Sequence, residues 1–120
     1  MQRIDWNAIL DRYARRPAAV LSANAVTVLR RRYLMKDAQG QPTEDPANMF
    51  RRVAANIAEA EGRLGRADLV EPAARAYLGL MASLDFLPNS PTLMNAGRKL
   101  QQLAACFVLP VEDSIEGIFD

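Results

Sequence analysis

The chain has no histidine and only one cysteine among its 120 residues. A single thiol cannot close an internal disulfide, which excludes a small secreted domain held together by disulfides. Without histidine, neither the usual metal-ligand sets nor a Ser-His or Cys-His catalytic pair can be assembled from this chain. We therefore expect no metal site among its residues.

Long apolar runs and an excess of one charge are also missing. No stretch approaches the roughly 20 apolar residues that cross a bilayer, and the N-terminal stretch to Arg16 mixes acids and bases without an apolar signal core. Lys and Arg total 15 against 14 acidic residues, a balance that offers no electrostatic footprint for nucleic acid or an acidic membrane. We expect a cytoplasmic protein with no membrane and no nucleic-acid partner.

Helical periodicity dominates the chain up to Asp85, and half of all residues are hydrophobic, which suffices for one small core. The predicted helices cover Asp5–Arg16, a stretch that begins at the N-cap Ser22, Asp45 to about Leu64, and Asp68–Leu84. Between the second and third helices, Lys36–Pro42 is predicted to form a turn or a small hairpin. The arginine clusters Arg30–Arg32 and Arg51–Arg52 are predicted to lie on solvent-exposed helix faces.

The pattern changes after Asp85. Residues Leu87–Gly97 contain two prolines and several small polar side chains, which predicts a structured loop. Leu103–Leu109 is a continuous apolar run, typical of a strand buried on both faces. Asp113 and Ser114 predict the start of another helix. Because a single buried strand has no ladder partner in this chain, we expect these residues to be the front of a larger structure.

Cys106 is the first candidate for chemistry. It lies between Ala105 and Phe107 in the predicted strand, where a lone cysteine is ordinarily a small buried hydrophobe. No Lys, Arg or His lies beside it in sequence to activate the thiol. A functional role therefore needs a partner thiol from outside these residues.

The polar residues on either side of the predicted strand are the other candidates. Ser90, Thr92 and Asn95 offer hydroxyls and an amide to an anion, although their spacing alone favours an ordinary Asx/Pro turn. The predicted helix start Asp113–Glu116 offers unpaired N–H groups that suit a phosphate, and Asp113 suits a sugar hydroxyl. A plain capping box explains the same residues.

Three ordered blocks of this sequence resemble the start of the catalytic barrel of ribonucleotide reductase large chains. These blocks are Leu87–Gly97 (LPNSPTLMNAG), Gln102–Pro110 (QLAACFVLP) and Glu112–Ile118 (EDSIEGI). Upstream, Leu21–Ala25, Arg32–Asp37 and Asn48–Ala54 are similar to the N-terminal helical segment of the cobalamin-dependent class. The resemblance covers nearly the whole chain.

The resemblance implies a mainly α fold. Residues 1–85 would form an N-terminal helical domain. Residues 86–120 would begin the catalytic α/β barrel, with the substrate loop, the first strand and the start of the effector-site helix. The barrel would be incomplete in this chain.

The resemblance also implies a role for each candidate residue. Cys106 would be one of two cysteines that reduce the substrate and become a disulfide, while a third cysteine carries the thiyl radical. Ser90 and Ala105 would contact the ribonucleotide, and Asp113 and Ser114 would begin the site for a deoxynucleotide effector. Many large chains carry Ser-Ser before this cysteine. Ala104 leaves no hydroxyl there, and Ala105 leaves only a backbone contact.

The implied partners lie outside this chain. They are adenosylcobalamin, a thioredoxin-type reductant, and the remainder of the reductase, expected as a homodimer. The radical cysteine and the second redox cysteine would also lie downstream, so we expect these residues alone to show no reductase activity. Two alternatives remain open at this point: a non-catalytic helical interaction module, and one subunit of a split reductase.

Overall fold

The structure is a computed structural model that describes residues 5–119, and all of the secondary-structure elements in that range are helices. The helices are α1 (Trp6–Ala14), α2 (Ala23–Arg32), α3 (Pro46–Arg63), α4 (Val70–Ala82), α5 (Ser90–Asn95) and α6 (Ile115–Phe119). A short 3-10 turn, Ala67–Leu69, leads into α4. None of the helices in the described part of the chain is long and apolar enough to cross a membrane.

Side-chain caps fix where the first three helices begin. The carboxylate of Asp5 accepts a hydrogen bond from the Ala8 N–H at 3.1 Å, and the hydroxyl of Ser22 accepts one from the N–H three residues on at 3.1 Å. Asp45 does the same at 2.7 Å, with Pro46 at the first helical position. Each cap satisfies an N–H that has no partner inside the helix. The starts predicted at Ser22 and Asp45 are confirmed.

The turn between α2 and α3 is a small hairpin, as predicted. Lys36 and Pro42 form an isolated antiparallel bridge, and the Asp37 N–H donates to the Gln41 carbonyl at 2.9 Å. Gly40 closes the turn with φ 79°, a left-handed conformation that glycine adopts without steric cost.

The core is built around α3, the longest helix. Met49 is fully buried and Val53 is 2% exposed, while Met81 of α4 and Leu93 of α5 pack into the same cluster. Helix α1 lies close against α4 at Gly79, where a side chain would not fit: a Cβ added there would overlap the carbonyl oxygen of Tyr13. We call residues 5–97 the helical body.

Residues 99–119, which we call the open segment, differ from the prediction. The strand predicted over Leu103–Leu109 is not present in the described chain, where these residues form neither helix nor strand. Val108 is fully exposed and Phe107 is 61% exposed. A strand needs a neighbour to pair its N–H and C=O groups, and the described residues supply none.

Two boundaries also differ from the prediction. The proline loop Leu87–Gly97 contains the short helix α5, because Asn89 caps it and Pro91 fits its first turn. The fourth helix is shorter than Asp68–Leu84: it begins as the 3-10 turn and ends before Leu84, which has φ 61°.

Candidate functional site

Helix α5 and the residues around it position the first candidate site. The side chain of Asn89 accepts a hydrogen bond from the Thr92 N–H at 3.2 Å. The Thr92 hydroxyl, which belongs to a buried residue, lies 2.5 Å from the Asn89 side-chain oxygen and 3.1 Å from the Leu103 carbonyl oxygen. The Asn95 amide donates to the Gln102 carbonyl at 2.8 Å. These bonds attach the start of the open segment to α5.

Arg52 of α3 holds the other end of α5. Its guanidinium forms a two-pronged ion pair with Glu44, with Nε to Oε2 at 3.0 Å and Nη2 to Oε1 at 2.7 Å. The same group donates to the Ala96 carbonyl and, at 3.2 Å, to the Leu93 carbonyl. Carbonyls at the end of a helix have no partner within it, so a cation there both neutralises and anchors them.

The burial of Arg52 corrects the prediction that Arg51 and Arg52 both lie on a solvent-exposed helix face. Arg51 is exposed as predicted, but the side chain of Arg52 is only 12% exposed and that of Glu44 only 9%. Burial tends to raise the pKa of Glu44, but hydrogen bonds from Arg52 and from the Met35 N–H outweigh it, so its pKa is lowered. The ion pair therefore stays charged inside the protein.

Tyr33, at the end of α2, contacts both ends of the α5 segment. Its hydroxyl lies 2.9 Å from the hydroxyl of Ser90, 57 positions further along the chain. Its carbonyl accepts a hydrogen bond from Arg98 at 3.3 Å. Burial, and then the charge of Arg52, lower the pKa of the Arg98 guanidinium. Sequence reasoning missed these contacts, because no local pattern signals a bond between such distant positions.

The structure exposes the predicted site residues and does not assemble them into one site. Ser90 is exposed in the first turn of α5, and Ala105 and Cys106 are exposed in the open segment. Cys106, which was expected in a buried strand, is exposed and lies outside any strand in the described chain. Ser114 and Asp113 are exposed too, and within residues 5–119 no hydrogen bond links these positions to Ser90 or Cys106.

The predicted helix start near Asp113 is present in a modified form. Helix α6 begins at Ile115, and the hydroxyl of Ser114 accepts a hydrogen bond from the Gly117 N–H at 3.0 Å. Ser114 is thus the capping residue, rather than Asp113 as the predicted capping box requires.

An apolar cleft of about 460 Å³ lies elsewhere, between α3, α4 and the linker that follows α1. Phe50, Leu78 and Ala82 line it, together with Arg16 and Arg51. None of the predicted site residues contributes to this cleft, so it is not the candidate site.

The described residues do not form a site that fits cobalamin. The chain has no histidine, and residues 5–119 contain no cluster of three or more His, Cys, Asp or Glu side chains that could hold a metal. Cys106 lies in the open segment, away from any enclosed cavity lined with donors. The described residues by themselves therefore provide no site at which that cofactor would act.

The fold first defines the class of protein. It is a small all-helical domain that binds the proline loop containing α5 against its core and continues into the exposed, apolar open segment. Comparison with known proteins then gives the family. Residues 19–101 match the family model described as the ribonucleotide reductase all-alpha domain. The chain therefore belongs to the ribonucleotide reductase family.

Individual relatives agree with this assignment. A vitamin B12-dependent ribonucleoside-diphosphate reductase of Mycobacterium tuberculosis (strain H37Rv) is 49% identical over 104 residues, which is 82% of this chain and 14% of that protein. One of Thermoplasma acidophilum is 36% identical, over 83% of this chain and 20% of that protein. A ribonucleoside-diphosphate reductase large chain of Neurospora crassa is 43% identical, over 77% of this chain and 9% of that protein.

These relatives confirm the resemblance to the N-terminal part of a large chain of the vitamin B12-dependent type. The chain spans a fifth or less of the length of each of them. The helical fold expected for the N-terminal domain is likewise confirmed.

Proposed function

We propose that this chain acts within a vitamin B12-dependent ribonucleotide reductase that converts ribonucleotides to deoxyribonucleotides. The observation that carries the proposal is the 49% identity with a reductase of that name over 82% of the chain. The relatives' names specify diphosphates, which favours a ribonucleoside diphosphate as substrate. Residues 1–85 would be the helical domain and residues 86–120 the start of the catalytic barrel.

In this proposal, Cys106 is half of the pair that reduces the substrate. The 2′ hydroxyl leaves the ribose as water, a hydrogen takes its place, and two thiols lose two electrons and two protons to form one disulfide. Cys106 supplies one thiol and a cysteine beyond these residues supplies the other. A thioredoxin-type dithiol then exchanges with that disulfide and restores both thiols.

The exposure of the open segment supports a docking role for these residues. Phe107, Val108 and Leu109 are apolar but face solvent, and their backbone groups have no ladder partner. Neighbouring barrel strands would bury these side chains and pair their backbone. The same step would enclose Cys106 and shield a radical intermediate from water.

The remaining sites are assigned by position. The Ser90 hydroxyl would donate a hydrogen bond to the ribonucleotide, and Ala105 would contact it only through its backbone. Asp113 and Ser114 would contact a deoxynucleotide effector near the interface of a homodimer. Adenosylcobalamin would be bound by parts of the reductase other than the described residues and would supply the radical that starts the reaction.

The substitution Cys106→Ser in the complete reductase tests this proposal. We expect thioredoxin-supported turnover to fall to background, because a hydroxyl cannot form the disulfide. Ala104→Ser, two positions away, is the matched control and should retain turnover, since related large chains carry serine there. Sustained turnover by Cys106→Ser would contradict the redox assignment, and reductase activity from these 120 residues alone would contradict the need for the remainder of the enzyme.

A further inference from the structure

Tyr33 and Ser90 form a contact that the family assignment does not account for. Their hydroxyl oxygens are 2.9 Å apart across 57 positions of sequence, and they join the end of α2 to the start of α5. Tyr33 is half-buried against the core cluster, whereas Ser90 is exposed. The ring is therefore held in place by packing, and the serine remains accessible to a ligand.

We propose that Tyr33 is a positioning residue for Ser90, which it orients so that the serine proton points toward the substrate. This inference rests on the proposed role of Ser90 as a substrate contact. Either hydroxyl could be the donor on geometry alone. A phenol is the stronger donor of the two, so Tyr33 donates to Ser90 and leaves the serine proton free for an acceptor oxygen of the nucleotide.

The surroundings of Tyr33 fit a role in holding α5 rather than a single contact. Its carbonyl is bound by Arg98, just beyond the other end of α5. Arg52 holds the Leu93 carbonyl between those two points. These contacts hold the C-terminal end of α5, and the Tyr33 hydroxyl adds a contact at its start that limits rotation of the Ser90 side chain. Preorganised contacts of this kind strengthen substrate binding without taking part in the chemical step.

The substitution Tyr33→Phe in the complete reductase removes this hydroxyl and keeps the packed ring. We expect KM for the nucleotide to rise about five-fold, as for the loss of one ordinary hydrogen bond of about 1 kcal/mol. We expect kcat to change less than about two-fold, because Tyr33 does not touch the reacting atoms. A general structural defect would instead lower kcat and the melting temperature together.

Tyr77→Phe is the matched control. Tyr77 is also half-buried, and its hydroxyl donates to Glu61 at 3.5 Å rather than to a residue of α5. Its loss should leave KM unchanged. An equal rise of KM in Tyr77→Phe would show a nonspecific effect of removing a tyrosine hydroxyl and would overturn the proposal.

The Ser90→Ala variant separates this inference from the proposed function. If Tyr33 acts through Ser90, then Tyr33→Phe should have almost no further effect on KM once Ser90 is alanine. If Ser90→Ala raises KM but Tyr33→Phe does not, the positioning role is wrong and the substrate assignment stands. If Ser90→Ala itself leaves KM unchanged, the substrate assignment fails and the positioning role fails with it.

Discussion

The helical body and the open segment are both rich in apolar residues, yet apart from Leu103, which contacts the core, the apolar side chains of the open segment are not packed. In the helical body, Met49 is fully buried and Val53 is 2% exposed. In the open segment, Leu109 is 74% exposed and Val108 is fully exposed. Apolar composition alone therefore does not decide burial: the helical body contains the surfaces that its side chains pack against, and the open segment does not.

The difference also separates two kinds of function. The helical body can fix Ser90 because α2, α3 and α5 are all present to hold it. Under the proposed function, the residues of the open segment, including Cys106, would pack against surfaces elsewhere in the reductase. The predictions below test this contrast, from the largest expected effect to the smallest.

Removing Arg52 should loosen the boundary between the two regions most strongly. Arg52→Ala leaves the carboxylate of Glu44 without its cation and with only the hydrogen bond from the Met35 N–H, and it releases the carbonyls at the end of α5. We expect the free energy of unfolding to fall by about 4 kcal/mol, as for the loss of one partner of a buried ion pair. Chemical denaturation of the chain measures this. The exposed neighbour Arg51 provides the control, and Arg51→Ala should stay within about 0.5 kcal/mol of the parent.

Paired truncations test the contrast in burial directly. Met49→Ala should lower the free energy of unfolding by about 3 kcal/mol, because it leaves a cavity in the core. Val108→Ala removes an apolar group that solvent already surrounds, and we expect a change below about 0.5 kcal/mol. A large loss from Val108→Ala in the chain would mean that the open segment is packed, against the account given above.

A third substitution tests the close approach of α1 to α4. The Cβ added by Gly79→Ala would overlap the carbonyl oxygen of Tyr13, so we expect a loss of about 2 kcal/mol. The comparison is Gly62→Ala in α3, where the nearest atom is a methyl carbon of Val70 at 3.3 Å. There the better helix propensity of alanine, worth up to about 1 kcal/mol, should offset the tight contact. Equal losses at the two positions would contradict the close packing of α1.

The smallest effect is a dependence on pH. Because the folded chain lowers the pKa of Glu44 below its usual value of 4.5, this group stabilises the fold above that pH. The contribution is lost as the pH falls through the lowered pKa. Glu44→Gln should therefore flatten the fall in stability that the parent chain shows as the pH drops below about 5. The exposed Glu59 gives the control, and Glu59→Gln should keep the slope of the parent.

Sequence reasoning found the features that depend on neighbouring residues. The caps at Ser22 and Asp45 and the hairpin at Lys36–Pro42 each follow from residues within a few positions of one another. The order of short motifs such as Leu87–Gly97 and Gln102–Pro110 also pointed to the family, which the comparisons confirm.

The sequence did not reveal features that depend on distant partners. The bond from Tyr33 to Ser90 spans 57 positions, and the one from Arg52 to the Leu93 carbonyl spans 41. Arg52 also differs from Arg51 only through the helix face on which it lies. The strand predicted at Leu103–Leu109 is absent from the described chain for a related reason, since a strand requires neighbours that the described residues lack.

The most direct test of the central claim is the oxidation state of Cys106 after one turnover. The complete reductase would be fully reduced, given ribonucleotide without an external reductant, then alkylated and digested for mass spectrometry. The account predicts that substrate reduction leaves Cys106 unalkylated and linked by a disulfide to a second cysteine. A Cys106 that remains a free, alkylated thiol after the deoxyribonucleotide has formed would contradict it.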